Sequence, residues 1–396
     1  MIRQLEGFDA YATGNLPASA LWDVASNVTI VPDAGRSGFS GDNAAFFDAS
    51  LSPLLTKAIS PEIASGIYVG TFGFAIRPIV VSGEVTLGGI DTAITRFNLI
   101  LSEQGALKVT QVTGGVLLGT ICETAADVVP IGTGGCYIEA RLIQQAGLVS
   151  AVQIRVSDQF GDMNPLAQGA ILAQIGTDVP YTTLRFGGAL TPEVGQWYLD
   201  DVYLTDGVRA ATPVVYDGTI VWNDSYLGNT HVHTVYATAD GYRLSVGNTP
   251  WTPNIGSTSY NLINEHPPDE DATYISADTA EQLSTFVFNS NRAEPFGLKG
   301  CCAYAPLFGL AWVGRLRVDA DPASVSPIIR TLVTGTLATD DVVAGDAIAV
   351  SDTDYAYYRQ FFDRNPSTDQ PWTMAVFSAL GAGVLGSVEF GIRFDA

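Results

Sequence analysis

Short runs of β-prone residues, separated by turn formers, recur along almost the whole chain. Val, Ile, Thr, Tyr and Phe dominate these runs, and Gly, Asp, Asn and Pro interrupt them. In Val152–Val156 the apolar residues share one face, while Gln153 and Arg155 share the other, which is the period of a half-buried strand. Turn formers stand at hairpin spacing, as in Glu103–Gly105. This pattern predicts an all-β protein of antiparallel sandwiches.

The pattern breaks at Asp206–Pro213, where a predicted strand ends and a linker-like segment follows. We therefore expect one β-sandwich domain over residues 1–206 and a second β-rich, sandwich-like domain over 207–396. One short helix is expected near 373–383, because Thr373 can cap its start and Gly381 or Gly383 can end it.

Charge excludes several classes of partner. The chain has 41 acidic and 19 basic residues and a formal net charge of -22. Phosphate backbones and anionic lipid headgroups would be repelled, so we expect no nucleic-acid partner.

The longest charge-free apolar stretch, Met374–Val388, is interrupted by glycines and is too short to span a bilayer. The N-terminus lacks the apolar core of a secretory signal, so we expect no membrane insertion and synthesis in a reducing cytosol.

The cysteines do not form a metal or redox motif. Cys122 and Cys136 are far apart in sequence, whereas Cys301 and Cys302 are adjacent, so no CxxC pair exists. Buried free thiols are the predicted state. A disulfide between Cys122 and Cys136 stays open as an alternative.

Four landmarks follow one another in the first half of the sequence. They are Glu6–Asp9 (EGFD), Gly73–Arg77 (GFAIR), Cys136–Ala140 (CYIEA) and Asp200–Asp206 (DDVYLTD). Their order resembles the concanavalin A-like, or LamG-like, domain of a family of tailed-bacteriophage virion structural proteins. In that family EGFD, GFxxR, YIE and DDVYxxD recur in this order. Cys136 departs from the pattern, since its position is usually aromatic.

The second half continues the resemblance. Pro250–Pro253, Asn264–Ile275 and Asp363–Trp372 are similar to the WTP, (V/I)xExPPDxDxTY and NPxTxxPWT elements of the same family. Asn229 stands where that pattern prefers Asp, and Asn264 where it prefers an acid. The resemblance thus covers essentially the whole chain.

The resemblance implies a non-enzymatic structural protein of a tailed-phage virion, in a tail tip, a fibre base or a capsid-surface decoration. Such a protein would assemble in the host cytoplasm, contact other virion proteins, and act as a homo-oligomer or a scaffold-bound subunit. The alternative is a carbohydrate-binding module that recognises a host surface glycan. A weaker alternative is a glycan hydrolase, because concanavalin A-like folds also include glycosidases.

No catalytic residues are predicted. A glycosidase needs two closely spaced carboxyls, and Glu265, Asp269, Glu270 and Asp271 are the obvious candidates. However, the two prolines at 267–268 exclude a regular central strand there, which favours a turn whose carboxylates cap backbone amides.

Metal binding is not predicted either. His231 and His233 share one side of a predicted strand, but no third ligand is placed by spacing, so a surface pair is expected. Calcium stays open at Asp200–Asp201 and at Asp352 with Asp354, although acid pairs in so acidic a chain usually mark solvated turns. The predicted cofactor set is therefore empty.

Two aromatic groups are candidate surfaces. The first comprises Trp222, Trp251, Tyr260 and Tyr274, which could bind sugar or pack as a satellite core; the sequence does not decide between these. The second is a candidate protein interface that comprises Tyr355, Tyr357, Phe361 and Phe362. If this segment is a strand, Tyr355 and Tyr357 share one face and Tyr358 takes the other, so both faces need apolar cover. We therefore expect contacts with another subunit within residues 355–396; cover by a loop of the same chain is the alternative.

Overall fold

The computed structural model of the protein describes a defined set of residues. These are 2–9, 11–17, 21–35, 43–59, 67–145, 151–157, 166–172, 181–206, 214–216, 219–221, 237–240, 250–256, 258–259, 262, 274–288, 310–319, 321–331, 341–362 and 388–395. The chain divides into two compact units, Met1–His233 and Thr234–Ala396. The predicted helix near 373–383 lies outside the described residues.

The first unit is built from strands, with one short 3-10 turn at Ala49–Leu51. Its strands are β1 (Ile2–Glu6), β2 (Gly14–Asn15), β3 (Val24–Ser26), β4 (Val28–Val31), β5 (Ala44–Asp48), β6 (Leu54–Ala58), β7 (Ile67–Ser82), β8 (Glu84–Thr92), β9 (Thr95–Ser102), β10 (Leu107–Thr113), β11 (Val116–Glu123), β12 (Cys136–Gln145), β13 (Ala151–Ser157), β14 (Ala167–Ala170), β15 (Tyr181–Gly187), β16 (Val194–Asp206), β17 (Val214–Tyr216) and β18 (Thr219–Val221).

Two antiparallel sheets form the sandwich of the first unit. The large sheet has nine strands in the order β14-β13-β12-β7-β16-β5-β4-β2, with β1 also paired to β16. The small sheet has seven strands in the order β11-β10-β9-β8-β15-β6-β3. Strands β17 and β18 form a separate pair. The predicted all-β class is confirmed.

The core lies between the two sheets of this sandwich. Phe72 and Phe74 on β7 pack edge-to-face with the Phe186 ring on β15, with ring centroids 6.3 Å and 5.2 Å apart. The Trp22 ring also packs edge-to-face with the Phe186 ring, with ring centroids 5.9 Å apart. Edge-to-face pairs of buried aromatic rings add stability beyond the area that they bury.

Strand β7 runs past the end that the sequence predicts. The β-prone run Ile67–Arg77 predicts a strand over those residues, but β7 continues through Pro78 to Ser82. Pro78 pairs with Trp197 and Val80 with Gln196, so the register shifts between them. A bulge tolerates a proline that a regular ladder would not.

The second unit is also built from strands in its described part. They are β19 (Ala237–Asp240), β20 (Thr252–Pro253), β21 (Ile275–Ser276), β22 (Leu283–Phe288), β23 (Leu310–Leu316), β24 (Ala323–Thr331), β25 (Asp341–Ala344), β26 (Ile348–Val350), β27 (Ala356–Phe362) and β28 (Val388–Phe394). A six-stranded sheet has the order β19-β22-β28-β24-β25, with β26 paired to β24. Strands β23 and β27 form an antiparallel ribbon, and β20 and β21 form a short pair.

Both sheets of the first unit's sandwich use strands between Ile2 and Asp206. The predicted domain boundary at 206/207 lies inside the first compact unit, and residues 207–213 lie outside the described set. The boundary stays a prediction. Among the residues described, no helix is long and apolar enough to cross a membrane.

Candidate functional site

The outer face of the large sheet collects polar and aromatic side chains from strands that are distant in sequence. Strand register places Gly73 between Glu139 on β12 and Tyr203 on β16. Further along the same strands, register places Arg77 on β7 beside Tyr198 on β16, and Tyr198 beside Phe46 on β5. Because side chains alternate along a strand, these residues share the face opposite the core residues Phe72 and Phe74.

One half of this face is a buried polar group, which we call the closed cluster: Gly73, Tyr137, Glu139, Arg155 and Tyr203. The Tyr203 hydroxyl donates to Glu139 Oε1, while Arg155 Nη1 lies 3.3 Å from Glu139 Oε2. The Tyr137 and Tyr203 rings stack with centroids 6.3 Å apart. Glu139 is 1% exposed and Arg155 is 2% exposed. Buried charges of opposite sign require such pairing, since either one alone would be strongly destabilising.

Gly73 makes room for the closed cluster. A Cβ at this position would lie 2.2 Å from Tyr203 Cε1 and 3.0 Å from Tyr137 Cε1. The two tyrosine rings therefore occupy the space in which any other residue would place its side chain. The glycine is required here by close approach rather than by backbone conformation.

The sequence landmarks of the first half meet in this sheet. Three of them lie on the adjacent strands β12, β7 and β16, and the first lies on β1 and just after it, beside β16. In the first landmark, Glu6 accepts hydrogen bonds from the Phe8 amide at 3.0 Å and from the Tyr11 hydroxyl at 2.8 Å. Asp9 accepts one from the Asn43 amide at 2.9 Å. These residues hold the chain's entry into the sandwich.

Asp200 and Asp201 take a structural role in the fourth landmark. The Asp201 amide donates to Asp200 Oδ1 at 2.7 Å, and the Asp201 carbonyl accepts from the Tyr137 hydroxyl at 2.9 Å. Asp201 has a φ of 49°, which coincides with the register shift between Asp200 and Tyr203. Both carboxylates are buried. The residues described contain no group of three or more His, Cys, Asp or Glu side chains that could hold a metal ion.

The other half of the face is accessible, and we call it the open strip: Phe46, Asp48, Arg77, Gln196 and Tyr198. The Arg77 guanidinium lies 4.5 Å from the centre of the Tyr198 ring, and the Phe46 and Tyr198 rings are 5.4 Å apart. Gln196 Nε2 donates to Asp48 Oδ2 at 2.8 Å in the neighbouring row. Arg77 is exposed and the other four are half-buried. The strip therefore presents an aromatic platform edged by planar polar groups.

Asp48 is kept ionised by its hydrogen bonds. The Ser50 side chain, followed by the Gln196 side chain, lowers the pKa of the Asp48 carboxyl below its ordinary value. Ser50 Oγ donates to Asp48 Oδ1 at 2.6 Å. Hydrogen bonds to the charged form favour that form. Asp48 thus offers a fixed acceptor beside the aromatic rings.

A second polar network lies on the small sheet. Arg185 donates from Nε and Nη2 to the two Asp91 oxygens at 2.9 Å and 3.1 Å, and from Nη2 to Asn98 Oδ1 at 2.6 Å. Arg185 Nη1 also donates to the Gly187 carbonyl at 2.6 Å. Arg185 is 2% exposed. Its donors are engaged within the protein, so this network stabilises the sheet rather than offering donors to a ligand.

Several residues that the sequence analysis names as candidates for a site lie in separate places in the structure. Cys122 and Cys136 are buried free thiols, and burial raises the pKa of Cys122 to about 11. Asp352 accepts a hydrogen bond from the Tyr358 hydroxyl at 2.5 Å, while Asp354 is exposed. Trp251 is buried in the core of the second unit, where its Nε1 donates to the Gln282 carbonyl at 3.1 Å. Tyr274 is 36% exposed.

Other candidates lie outside the described residues. These are Trp222, His231, His233, Tyr260, Glu265, Asp269, Glu270, Asp271, Cys301 and Cys302. The candidate interface residues are described: Tyr355, Tyr357 and Phe361 are half-buried, and Phe362 is buried at 7% exposure.

Sequence reasoning missed the open strip. Arg77 closes the GFAIR landmark, but nothing in the sequence brings it beside Tyr198 or Phe46. Phe46 lies in a short strand flanked by alanines, Ala44–Asp48, which the pattern of β-branched residues does not mark. The alternation of Gly73, Ala75 and Arg77 on one face was the available signal, once β7 was known to be central.

Comparison with known proteins gives no family. No protein-family model matches the sequence, and no curated protein matches it. Among solved structures, the alginate lyase vAL-1 from Chlorella virus is 10% identical, covers 52% of this chain and 99% of its own, and has a TM-score of 0.35. The endo-1,3-beta-glucanase from Streptomyces sioyaensis is 10% identical, covers 52% and 96%, and has a TM-score of 0.35. The galectin LEC-6 from Caenorhabditis elegans is 9% identical, covers 40% and 95%, and has a TM-score of 0.26. Likeness at this level bears on neither activity nor ligand.

Proposed function

We propose that this chain is a non-enzymatic carbohydrate-binding protein and that the open strip is its binding surface. The observation that carries the proposal is the Tyr198 ring, which lies between the Arg77 guanidinium and the Phe46 ring on an accessible sheet face. The Gln196–Asp48 pair lies in the adjacent row.

The chemistry of the strip suits a sugar. A pyranose ring presents C–H groups on its faces, which pack on aromatic rings, and hydroxyls at its rim, which need donors and acceptors. The Tyr198 ring supplies the platform and Asp48 supplies an acceptor. Within the part of the chain that the structure describes, the Arg77 side chain makes one hydrogen bond, from Nη2 to the Ala34 carbonyl at 3.1 Å. Its Nε and Nη1 donors stay available to a ligand.

The carboxyl count in the strip supports binding rather than hydrolysis. Glycoside hydrolysis ordinarily uses two carboxyls that are about 5–10 Å apart. Asp48 is the only carboxylate among the five strip residues, and Glu139 in the closed cluster is bonded to Tyr203 and Arg155. Neither half of the face offers an acid and a base together.

A role in a virion is the second candidate. It is supported by the way in which the four landmarks of the phage resemblance meet at neighbouring strands of one sheet and contribute to its buried contacts. In this role the carbohydrate-binding unit would belong to a particle component that recognises a glycan of the host surface.

The test is glycan binding by the full-length protein and matched variants. On an array of bacterial surface glycans we expect binding that weakens about tenfold or more in Tyr198→Ala and in Arg77→Ala, since each removes part of the platform. Arg96→Ala is the matched control, because Arg96 is a partly exposed arginine on the small sheet, with its side chain 44% exposed and 4.0 Å from Asp91. Thermal unfolding confirms that each variant is folded.

Two results would count against the proposal. One is an absence of binding to any glycan by the wild-type protein. The other is binding that Arg96→Ala weakens as much as Tyr198→Ala does. Release of reducing sugar from a bound glycan would instead favour the hydrolase alternative.

A further inference from the structure

Strand β11 of the first unit begins with three exposed apolar residues. Val116, Leu117 and Leu118 are 62%, 64% and 42% exposed. The strand lies at the end of the small sheet, and among the strands that the structure describes none pairs with its other edge. It contains no lysine or proline, and its first charged residue is Glu123. Soluble proteins commonly block an exposed strand edge with such residues, so this edge is open to pairing with another strand.

Two further apolar side chains extend this surface. Ile94 is 57% exposed and lies beside the start of β11, because its carbonyl accepts a hydrogen bond from the Gly114 amide at 3.0 Å. Leu172 is 50% exposed and lies over Gly119, where a Cβ would be 3.1 Å from Leu172 Cδ1. We call the whole surface the apolar edge: Ile94, Val116, Leu117, Leu118 and Leu172.

The backbone of Leu117 faces the open side of β11. The two-residue turn that precedes the strand has φ values of 57° and 82°, as a type I′ hairpin requires. Thr113 and Val116 flank this turn as a pair, and Val112 and Leu117 form the next pair. The flanking pair closes the turn with backbone hydrogen bonds, and successive antiparallel pairs alternate between bonded and non-bonded. The N–H and C=O groups of Leu117 therefore point away from β10.

The other half of β11 is covered within the first unit. Strand β14 lies beside it, because a Cβ on Gly169 would be 2.1 Å from the Ile121 carbonyl oxygen. The register shift between Gln111 and Val112 falls beyond Leu117, so the uncovered half keeps regular pairing with β10. The open part of the edge is therefore short and regular around Leu117.

We infer that the apolar edge is an interface between two copies of this chain, in which β11 of one copy pairs antiparallel with β11 of the other about a two-fold axis at Leu117. An antiparallel strand pair can be self-complementary, as a two-fold interface must be. Leu117 faces its own counterpart and exchanges two backbone hydrogen bonds with it, while Val116 faces Leu118 of the second copy. The two small sheets become one continuous sheet.

The size of the apolar edge suits this occupant. Its five side chains expose on the order of 500 Å² per copy, as much as the largest apolar patch of a typical monomer. A stable interface buries about 800 Å² on each partner. The apolar edge would supply more than half of that area as a core, and polar residues around it would form the rim.

The charge distribution also favours pairing at this edge. The segment Val116–Cys122 has no charged residue, so neither copy has to bury a charge when the strands meet. Each copy carries a net charge of -22, which opposes association elsewhere on the surface. Salt screens that repulsion beyond about 8 Å at physiological ionic strength. Association should therefore strengthen as ionic strength rises.

The first test is the mass of the full-length protein by light scattering over a concentration series. We expect a dimer whose apparent dissociation constant rises about tenfold or more in Leu117→Glu, because the substitution places two carboxylates opposite each other at the axis. Leu190→Glu is the matched control, since Leu190 is an equally exposed leucine at 62% between β15 and β16. It should leave the mass unchanged, as should Tyr198→Ala, so a failure of the carbohydrate proposal is distinguishable.

The second test is a cross-link across the axis. Residues of a bonded antiparallel pair have Cα atoms about 5.5 Å apart, which is within the range of a disulfide. Leu117→Cys should therefore give a covalent dimer under mild oxidation, read on a non-reducing gel. The wild type and Leu190→Cys should stay monomeric on the same gel, because Cys122 and Cys136 are buried.

Three results would overturn the inference. The first is a wild-type monomer at every concentration and ionic strength. The second is a dimer that the folded Leu117→Glu variant leaves intact. The third is a dimer in which Leu117→Cys forms no more cross-link than Leu190→Cys, because the two strands would then not meet at Leu117.

Discussion

The closed cluster and the open strip lie on one face of one sheet and share strands β7 and β16, yet they use polar residues in opposite ways. In the closed cluster, Glu139, Arg155 and Tyr203 bond to one another and are buried. In the open strip, Arg77 and Tyr198 stack but keep accessible surface. A charged residue on a sheet face is thus structural where its partners enclose it, and available to a ligand where they do not.

The largest expected effect is in the closed cluster. Arg155→Ala should lower the free energy of unfolding by about 3–5 kcal/mol, because it removes the guanidinium that lies 3.3 Å from the buried Glu139 carboxylate. Urea denaturation measures the loss. Arg96→Ala, on the small sheet, should change it by less than about 0.5 kcal/mol. If Arg155→Ala loses as little stability as Arg96→Ala, the closed cluster is not a buried charge pair on which the fold depends.

The next largest loss of stability is expected at Gly73, where the absence of a side chain makes room for the Tyr203 ring. Gly73→Ala should lower the free energy of unfolding by about 1–3 kcal/mol, because its Cβ would overlap the Tyr203 ring. Gly134→Ala is the control, since a Cβ there meets nothing within 4 Å. Chemical denaturation of the pair is the measurement. Equal stability of the two variants would mean that the tyrosine rings move aside at little cost.

A smaller effect is expected in the open strip. Arg77→Ala should lower the free energy of unfolding by only about 0.5–1 kcal/mol, the size of an exposed cation–π contact. The same variant should lose glycan binding, which separates ligand contact from stability. Calorimetric unfolding and glycan binding on one preparation test both statements. A loss of stability as large as that of Arg155→Ala would show that the strip is also structural.

The smallest effect is a pH dependence at Asp48. Its pKa is lowered in the folded state, so the stability that it contributes is present above the unfolded-state pKa and is lost as pH falls through the lower folded value. The difference in Tm between the wild type and Asp48→Asn should therefore stay constant from neutral pH down to about pH 5 and shrink below about pH 4. A difference that shrinks already above pH 6 would contradict this assignment.

The local alternation of apolar and polar residues predicts the strands well, but it does not predict which residues cover the faces of those strands. The alternation in Val152–Val156 predicts β13 to within one residue at each end, since the strand is Ala151–Ser157. The same alternation places Arg155 on the face opposite the apolar residues, where solvent would be expected. Its burial depends on packing outside its own strand, which alternation does not encode. The open strip was missed because Phe46, Arg77 and Tyr198 meet through register between distant segments, and no local signal sets that register.

The central pairing of the large sheet also governs how this protein can be made. Strand β16 pairs along β7 from Val194 opposite Ser82 to Asp206 opposite Gly70, and it pairs with β1 at the very start of the chain. The ribosome must therefore release residue 206 before the large sheet can close, and β7 waits unpaired on that side during synthesis. Pairings across such sequence distances are slow to form, and exposed strand edges associate with other chains. The sandwich of the first unit should consequently fold only after β16 has been translated, and truncations that remove β16 should aggregate rather than yield a smaller sandwich.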